Sequence, residues 1–287
     1  MLWLRFTPPP FPPAAWPGIL CLSLLAVTIT GPAFSDGPNN QQHPIPQKQR
    51  QAMAERLQSQ TRDLTAEILK SPDSVTLYSQ RGDTHFFLGN FKQAIADYEQ
   101  MVKLDSSQDR SHWRRGIARF YGGQFKQAAH QFEIYHMFDD VDRENGIWRY
   151  FSQYKAHGAR KAKAGLLKYR KDDREPFPAV YQLFSGKLSA ADVLTAVKQA
   201  DISKVERSRR EFYSYLYVGL NHALEDQDAK ALQNLRAATA NTWGRDAGFG
   251  PNYMWHVGRL HYELLLKKQA EAARKDAATA TRPAAEK

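Results

Sequence analysis

Apolar and polar positions along this chain follow a helical rhythm, and over much of its length the rhythm recurs every 34 residues. The segment "RGDTHFFLGNFKQAIADY" is echoed in "RRGIARFYGGQFKQAAHQF": Gly82, Phe91, Ala94 and Tyr98 are followed 34 residues later by Gly116, Phe125, Ala128 and Phe132. Each copy predicts two helices joined by a short turn, Gly89-Asn90 in the first and Gly122-Gly123 in the second. Glycine and, twelve residues on, alanine sit where the two helices approach most closely, and the aromatic fills the space beside that contact.

A glycine, an alanine and an aromatic at this period are the signature of tetratricopeptide repeats. The expected fold is therefore all-α, a superhelical stack of tetratricopeptide-repeat hairpins. Repeats are placed near 75–108 and 109–142, and again near 212–245, where Gly219, Ala231 and Leu235 restore the spacing. Gly219 follows Gly116 by 103 residues, one more than three periods, so two worn repeats fit within 143–211. There Ala162 and Leu166 keep their slots, but Tyr150 replaces the glycine. Within "FPAVYQLFSGKLSAADVLTAVKQA", Ser189 should cap a helix with Asp192 in its first turn. The repeat domain spans 75–274 and ends in a helix from Pro251 to about Arg274; 275–287 reads as a disordered tail.

Before the first repeat, 48–70 predicts an amphipathic helix whose stripe is Met53, Leu57, Leu64 and Ile68. Isolated helices gain most of their stability from packing. The stripe therefore folds back on the first hairpin or pairs with its copy in a second subunit, and we designate these four residues a dimer helix.

Residues 1–35 have the layout of a signal peptide: Arg5, an apolar run from Gly18 to Thr30, and Ala33-Phe34-Ser35 before a cleavage point. A retained anchor helix is the alternative. Residues 36–47 are polar and proline-rich, a flexible leader. The expected location is outside the cytoplasm, in the periplasm or cell envelope. The single cysteine, Cys21, follows Leu20 where a lipid-modification signal needs a small residue, which argues against a lipid anchor.

The formal charge is +10, but acids are interleaved with most of the basic clusters, which suits solvated helix faces better than nucleic-acid binding. No sequence motif of a hydrolase, a zinc protease or a phosphate loop is found. His256 and His261 are five apart, a spacing that turns them to different helix faces, and Asp139-Asp140 and Asp172-Asp173 fall in predicted turns as caps. No catalytic residue, metal or cofactor is expected. Recognition is expected on the concave wall, from repeat positions occupied by Phe86, Trp113, Ile117, Phe120 and Tyr121. Gly82, Ala94, Tyr98, Gly116, Ala128, Phe132, Gly219 and Ala231 are expected to serve packing. Arg81-Gly82-Asp83 is then a piece of helix and not an adhesion loop.

The stretch "HWRRGIARFYGGQFKQAAHQFEIYHMFD", the sparse middle hairpins with "YQLFSGKLSAADVL", and "EFYSYLYVGLNHALEDQDAKALQNLRAA" together resemble the NlpI-type lipoproteins of the bacterial envelope, over roughly residues 48–266. The resemblance implies a homodimeric, non-enzymatic adaptor that docks a tail-specific protease beside peptidoglycan hydrolases. The alternative is a basic assembly factor associated with the cell wall or a membrane surface.

Overall fold

The computed structural model describes residues 43–171 and 173–280; the signal-like stretch with Cys21, and the leader before His43, lie outside them. The described residues form α1 (Gln47–Lys70), α2 (Val75–Phe87), α3 (Phe91–Leu104), α4 (Trp113–Tyr121), α5 (Phe125–His136), α6 (Arg143–His157), α7 (Ala159–Ala164), α8 (Phe177–Ser185), α9 (Ala190–Gln199), α10 (Lys204–Leu224), α11 (Asp228–Ala240), α12 (Thr242–Asp246) and α13 (Phe249–Ala280), with no strand among them. Helices α2 to α11 pair as five successive hairpins, and α13 runs back across the stack to touch both α11 and α2. This is the all-α tetratricopeptide architecture expected from the 34-residue period.

The period has a steric origin. A Cβ on Gly82 would stand 2.6 Å from the Tyr98 ring, one on Gly116 2.6 Å from Phe132, and one on Gly219 2.8 Å from Leu235. In each hairpin the glycine faces the large residue sixteen positions later, while Ala94, Ala128 and Ala231 are wholly buried beside the contact. Phe132 cannot swing away, because it is fully buried and stacks on Trp148. Gly116→Leu is accordingly expected to destabilise the chain by about 1–3 kcal/mol or more, read as a lower midpoint in thermal or urea unfolding; an unchanged midpoint would contradict this packing.

The turns repeat as well. Gly89 and Gly123 both have φ of +77°, and Asp226 takes the same left-handed turn position at φ 57°. A second periodic feature accompanies the glycines: Arg81, Arg115 and Arg149, again 34 apart, each reach across their hairpin to position +16. Arg81 Nε donates to Asp97 at 2.9 Å, Arg115 Nε donates to Gln131 at 2.7 Å, and Arg149 donates to the Gly165 carbonyl.

The third hairpin shows what happens when the glycine is lost. Tyr150 fills the slot and packs on Phe184, and the second helix, α7, shrinks to six residues. The close approach moves one turn earlier, to Gly146, where the Tyr169 hydroxyl stands 2.5 Å from a would-be Cβ. In the fourth hairpin, Ser189 and Asp192 form the reciprocal cap expected of them.

Three expectations are corrected. The stripe Met53, Leu57, Leu64 and Ile68 is covered within the same chain: Leu57 and Ile68 are buried, Met53 and Leu64 are half-buried, and α1 lies along α2 with Thr61 Oγ1 bonded to Thr84 Oγ1 at 3.3 Å and Arg81 donating to Thr65 at 3.2 Å. No second subunit is needed to cover it. The leader is anchored from His43 onward, with its ring edge-on to Tyr262 at 5.2 Å and Ile45 accepting from Arg50. At the other end, α13 continues to Ala280, because the alanine- and lysine-rich sequence that suggested disorder also has high helix propensity.

Candidate functional site

Viewed from the first helices of the repeats, the concave wall is aromatic, and α13 lies on it. The Phe86 ring stacks on Tyr253 at 4.8 Å, Phe87 stacks on His256 at 3.9 Å, and Trp113 meets Tyr253 edge-on at 4.9 Å. Polar contacts fix the register. Arg259 donates to the Phe87 carbonyl at 2.5 Å, the Tyr121 hydroxyl and His261 Nδ1 are 3.0 Å apart, and Trp255 Nε1 donates to the Thr239 carbonyl at 2.9 Å. Gly258 lets Leu216 of α10 approach to 3.1 Å of a would-be Cβ. As a result Tyr253 to Leu260 are buried on every side of the helix.

The expected open groove is therefore corrected. Phe86, Ile117 and Phe120 are buried, and Trp113 and Tyr121 are half-buried beneath α13. Ile117 and Phe120 also face the next hairpin, where Phe120 meets Trp148 at 5.5 Å. An aromatic wall left in water is unfavourable, and here α13 of the same chain covers it. The residues that sequence reasoning missed are those of α13, above all Tyr253, His256 and Arg259.

Beneath α13 lies a buried ion pair. Both Asp83 carboxylate oxygens accept from Arg114 Nη1 at 2.7 Å, and one also accepts from the Tyr98 hydroxyl at 2.6 Å, which is itself 3.3 Å from the Tyr253 hydroxyl. Burial pushes the Asp83 carboxyl above its ordinary value, against the pull of Arg114 and Tyr98. Arg81-Gly82-Asp83 is thus internal structure: Arg81 is held by Asp97, Gly82 by the Tyr98 ring, Asp83 by Arg114.

A second polar centre stands where α6 begins. Arg174 lies 2.7 Å from Glu144, 3.2 Å from Asp173 and 3.8 Å from Asp142, with its guanidinium 4.3 Å above the Phe177 ring. Tyr217 donates to the other Glu144 oxygen and accepts from Trp148 Nε1 at 3.2 Å. Asp142 also caps α6 through the Glu144 amide at 3.0 Å. The capping expected of Asp139 is present, on the Val141 amide at 2.9 Å, and Asp140 pairs with Lys171; Asp172 lies outside the described residues.

Three carboxylates share one guanidinium, so one of them resists ionisation. Burial first, then the neighbouring carboxylates of Glu144, Asp173 and Asp139, outweigh Arg174 and push Asp142 from 3.8 up to about 7. The folded chain thus holds a proton that the unfolded chain releases above pH 4. Stability from this group is full below about pH 4, the unfolded value, declines progressively as pH rises and is gone above about 7. Asp142→Asn keeps the cap and removes the titration. Relative to this variant, wild type should lose roughly 2–4 kcal/mol between pH 5 and 8; urea unfolding at several pH values with parallel profiles for the two proteins would contradict the assignment.

The histidines do not meet. Burial, reinforced by Arg259, holds His256 well below its ordinary value, and burial with Lys155 lowers His261 to about 4, so both are neutral at pH 7. Among the described residues, no group of three His, Cys, Asp or Glu side chains is placed to hold a metal ion.

No family model matches the chain. A stretch of 54 residues is 37% identical to the Protein SGT1 homolog of Oryza sativa subsp. japonica, covering 19% of this chain and 15% of that one. This chain therefore spans only a small part of the curated relative's length.

Proposed function

We propose that the chain is a non-enzymatic adaptor, a helical-repeat scaffold that holds other proteins on its outer surfaces. The observation that carries this reading is the filled concave wall. Expelling α13 would expose Tyr253, Trp255, Val257, Leu260 and Leu265, all buried now. At roughly 1.5–3 kcal/mol for each large side chain, that cost is comparable to the whole stability of a typical domain. A partner able to exchange with α13 would have to offset it, so α13 acts as an internal strut, and ligands dock outside.

Two exposed apolar side chains at the end of α5, Met137 (68%) and Phe138 (56%), suit such a contact. The resemblance to NlpI-type lipoproteins narrows the proposed partners to exported proteins, a tail-specific protease and peptidoglycan hydrolases among them. The test is co-purification from the envelope fraction with the full chain and with Met137→Asp/Phe138→Asp. Specific partners retained by wild type and lost by the variant support an outer-surface adaptor. Equal capture by both, or turnover of an envelope component by the purified chain, counts against it.

A further inference from the structure

The basic excess of this chain is unevenly placed. From Asn145 to Lys171 there are eight Lys and Arg residues and no Asp or Glu. Several of the eight lie together at one edge of the helical stack. Lys155 is in the last turn of α6, and Arg160, Lys161 and Lys163 occupy α7, all exposed. Lys187, also exposed, is in the turn between α8 and α9, which lies alongside: Lys163 Nζ is 3.6 Å from the place a Cβ on Gly186 would take. None of these five forms an ion pair among the described residues, whereas Arg149 and Lys171, nearer the ends of the run, pair with Glu133 and Asp140.

Turns within the hairpins fall along this edge, while the connections between hairpins fall along the opposite edge and carry Asp105, Asp109, Asp139 and Asp140. This edge is therefore basic near its middle, with Glu225, Asp226 and Asp228 at the turn of the fifth hairpin, while the opposite edge is of mixed charge, its acids accompanied by Arg110, Lys168, Arg170 and Lys171.

We infer that the rim formed by Lys155, Arg160, Lys161, Lys163 and Lys187 docks on the surface of an anionic phospholipid bilayer. Four of the five are lysines, hydrated point charges that answer to a diffuse negative surface better than to a single phosphate gripped by a fork. The rim is a turn and a short helix in which Gly158, Ala159 and Ala164 are exposed beside the basic side chains. The aromatic rings of the basic run are tied inward: Tyr150 and Phe151 are buried, and Tyr169 packs on His136 with its hydroxyl on the Asp142 carbonyl. They are not displayed for stacking on nucleic-acid bases. No described helix is long and apolar enough to cross a membrane, and no large apolar side chain stands exposed on this rim, so attachment here is electrostatic, reversible and screened by salt.

The test uses the full chain in co-sedimentation with vesicles of phosphatidylcholine alone or with about 30% phosphatidylglycerol, at low and high salt. Binding is expected only to the anionic vesicles and only at low salt. Arg160→Glu/Lys161→Glu/Lys163→Glu/Lys187→Glu should weaken it at least about tenfold. The control Lys48→Glu/Lys70→Glu/Lys103→Glu/Lys204→Glu makes the same change in net charge at exposed positions elsewhere and should keep most of it. Equal losses in the two variants would reduce the effect to net charge and overturn the rim. Absence of vesicle binding, or binding to duplex DNA or polyphosphate that exceeds vesicle binding at the same salt and depends on the same four residues, would overturn the bilayer as its partner. Circular dichroism of both variants confirms that they are folded before binding is compared.

Discussion

Tyr253→Ala is expected to destabilise the chain by about 3–5 kcal/mol, the range for removing a fully buried aromatic. Its ring sits between Phe86, Phe87 and Trp113, so the deletion opens a cavity at the joint between α13 and the first two hairpins. Tyr253→Phe separates the two contributions. It keeps the ring and loses only the long hydroxyl contact to Tyr98, and about 1 kcal/mol or less is expected. Urea unfolding of the three proteins decides it; a Tyr253→Ala loss no larger than that of Tyr253→Phe would mean that the ring is not wedged in the wall.

The second large effect belongs to Arg174→Met. The guanidinium is the cation shared by Glu144, Asp173 and Asp142, and its loss leaves buried carboxylates facing one another. Breaking a buried pair from one side costs about 3–5 kcal/mol. Because protonation relieves the uncompensated charge, the deficit should shrink as pH falls toward 5, a recovery that a purely steric defect would not show. Arg174→Lys should land between the two, since it restores charge without the fork that reaches several carboxylates at once. A deficit in Arg174→Met that is the same at pH 5 and pH 8 would contradict the electrostatic account.

What could be read from the sequence is what steric packing repeats. Gly82, Gly116 and Gly219 each face a bulky partner sixteen residues on, and that constraint leaves a mark at a fixed spacing. The cap at Ser189 was legible because its chemistry is local. The occupant of the concave wall was not. Repeat position identified Phe86, Ile117 and Phe120 as facing inward, but position does not tell whether water or another helix meets them there. The signal lay in "YMWHVGRL", 253–260, which has no solvated face. A helix apolar or hydrogen-bonded all round is one buried all round, even when His256 and Arg259 make it look amphipathic. The stripe on α1 posed the opposite problem. Periodicity showed that Leu57 and Ile68 are covered, yet cannot distinguish a cover in the same chain from one in another; α2 lies along α1 within the chain, tied to it by the Thr61–Thr84 and Arg81–Thr65 bonds. The Arg174 centre escaped notice because its members, at 142, 144, 173 and 217, converge only through the fold.

Amide hydrogen exchange of the intact chain, followed by mass spectrometry, tests most directly whether the concave wall is filled by α13. Helices buried on all sides exchange by global opening, whereas exposed ends fray. Residues 250–266 should exchange as slowly as α2 and α4, lose that protection together with them in Tyr253→Ala, and contrast with rapid exchange over 271–280. Rapid exchange through 250–266 while α2 to α5 stay protected would show α13 leaving an open groove, and would contradict the account.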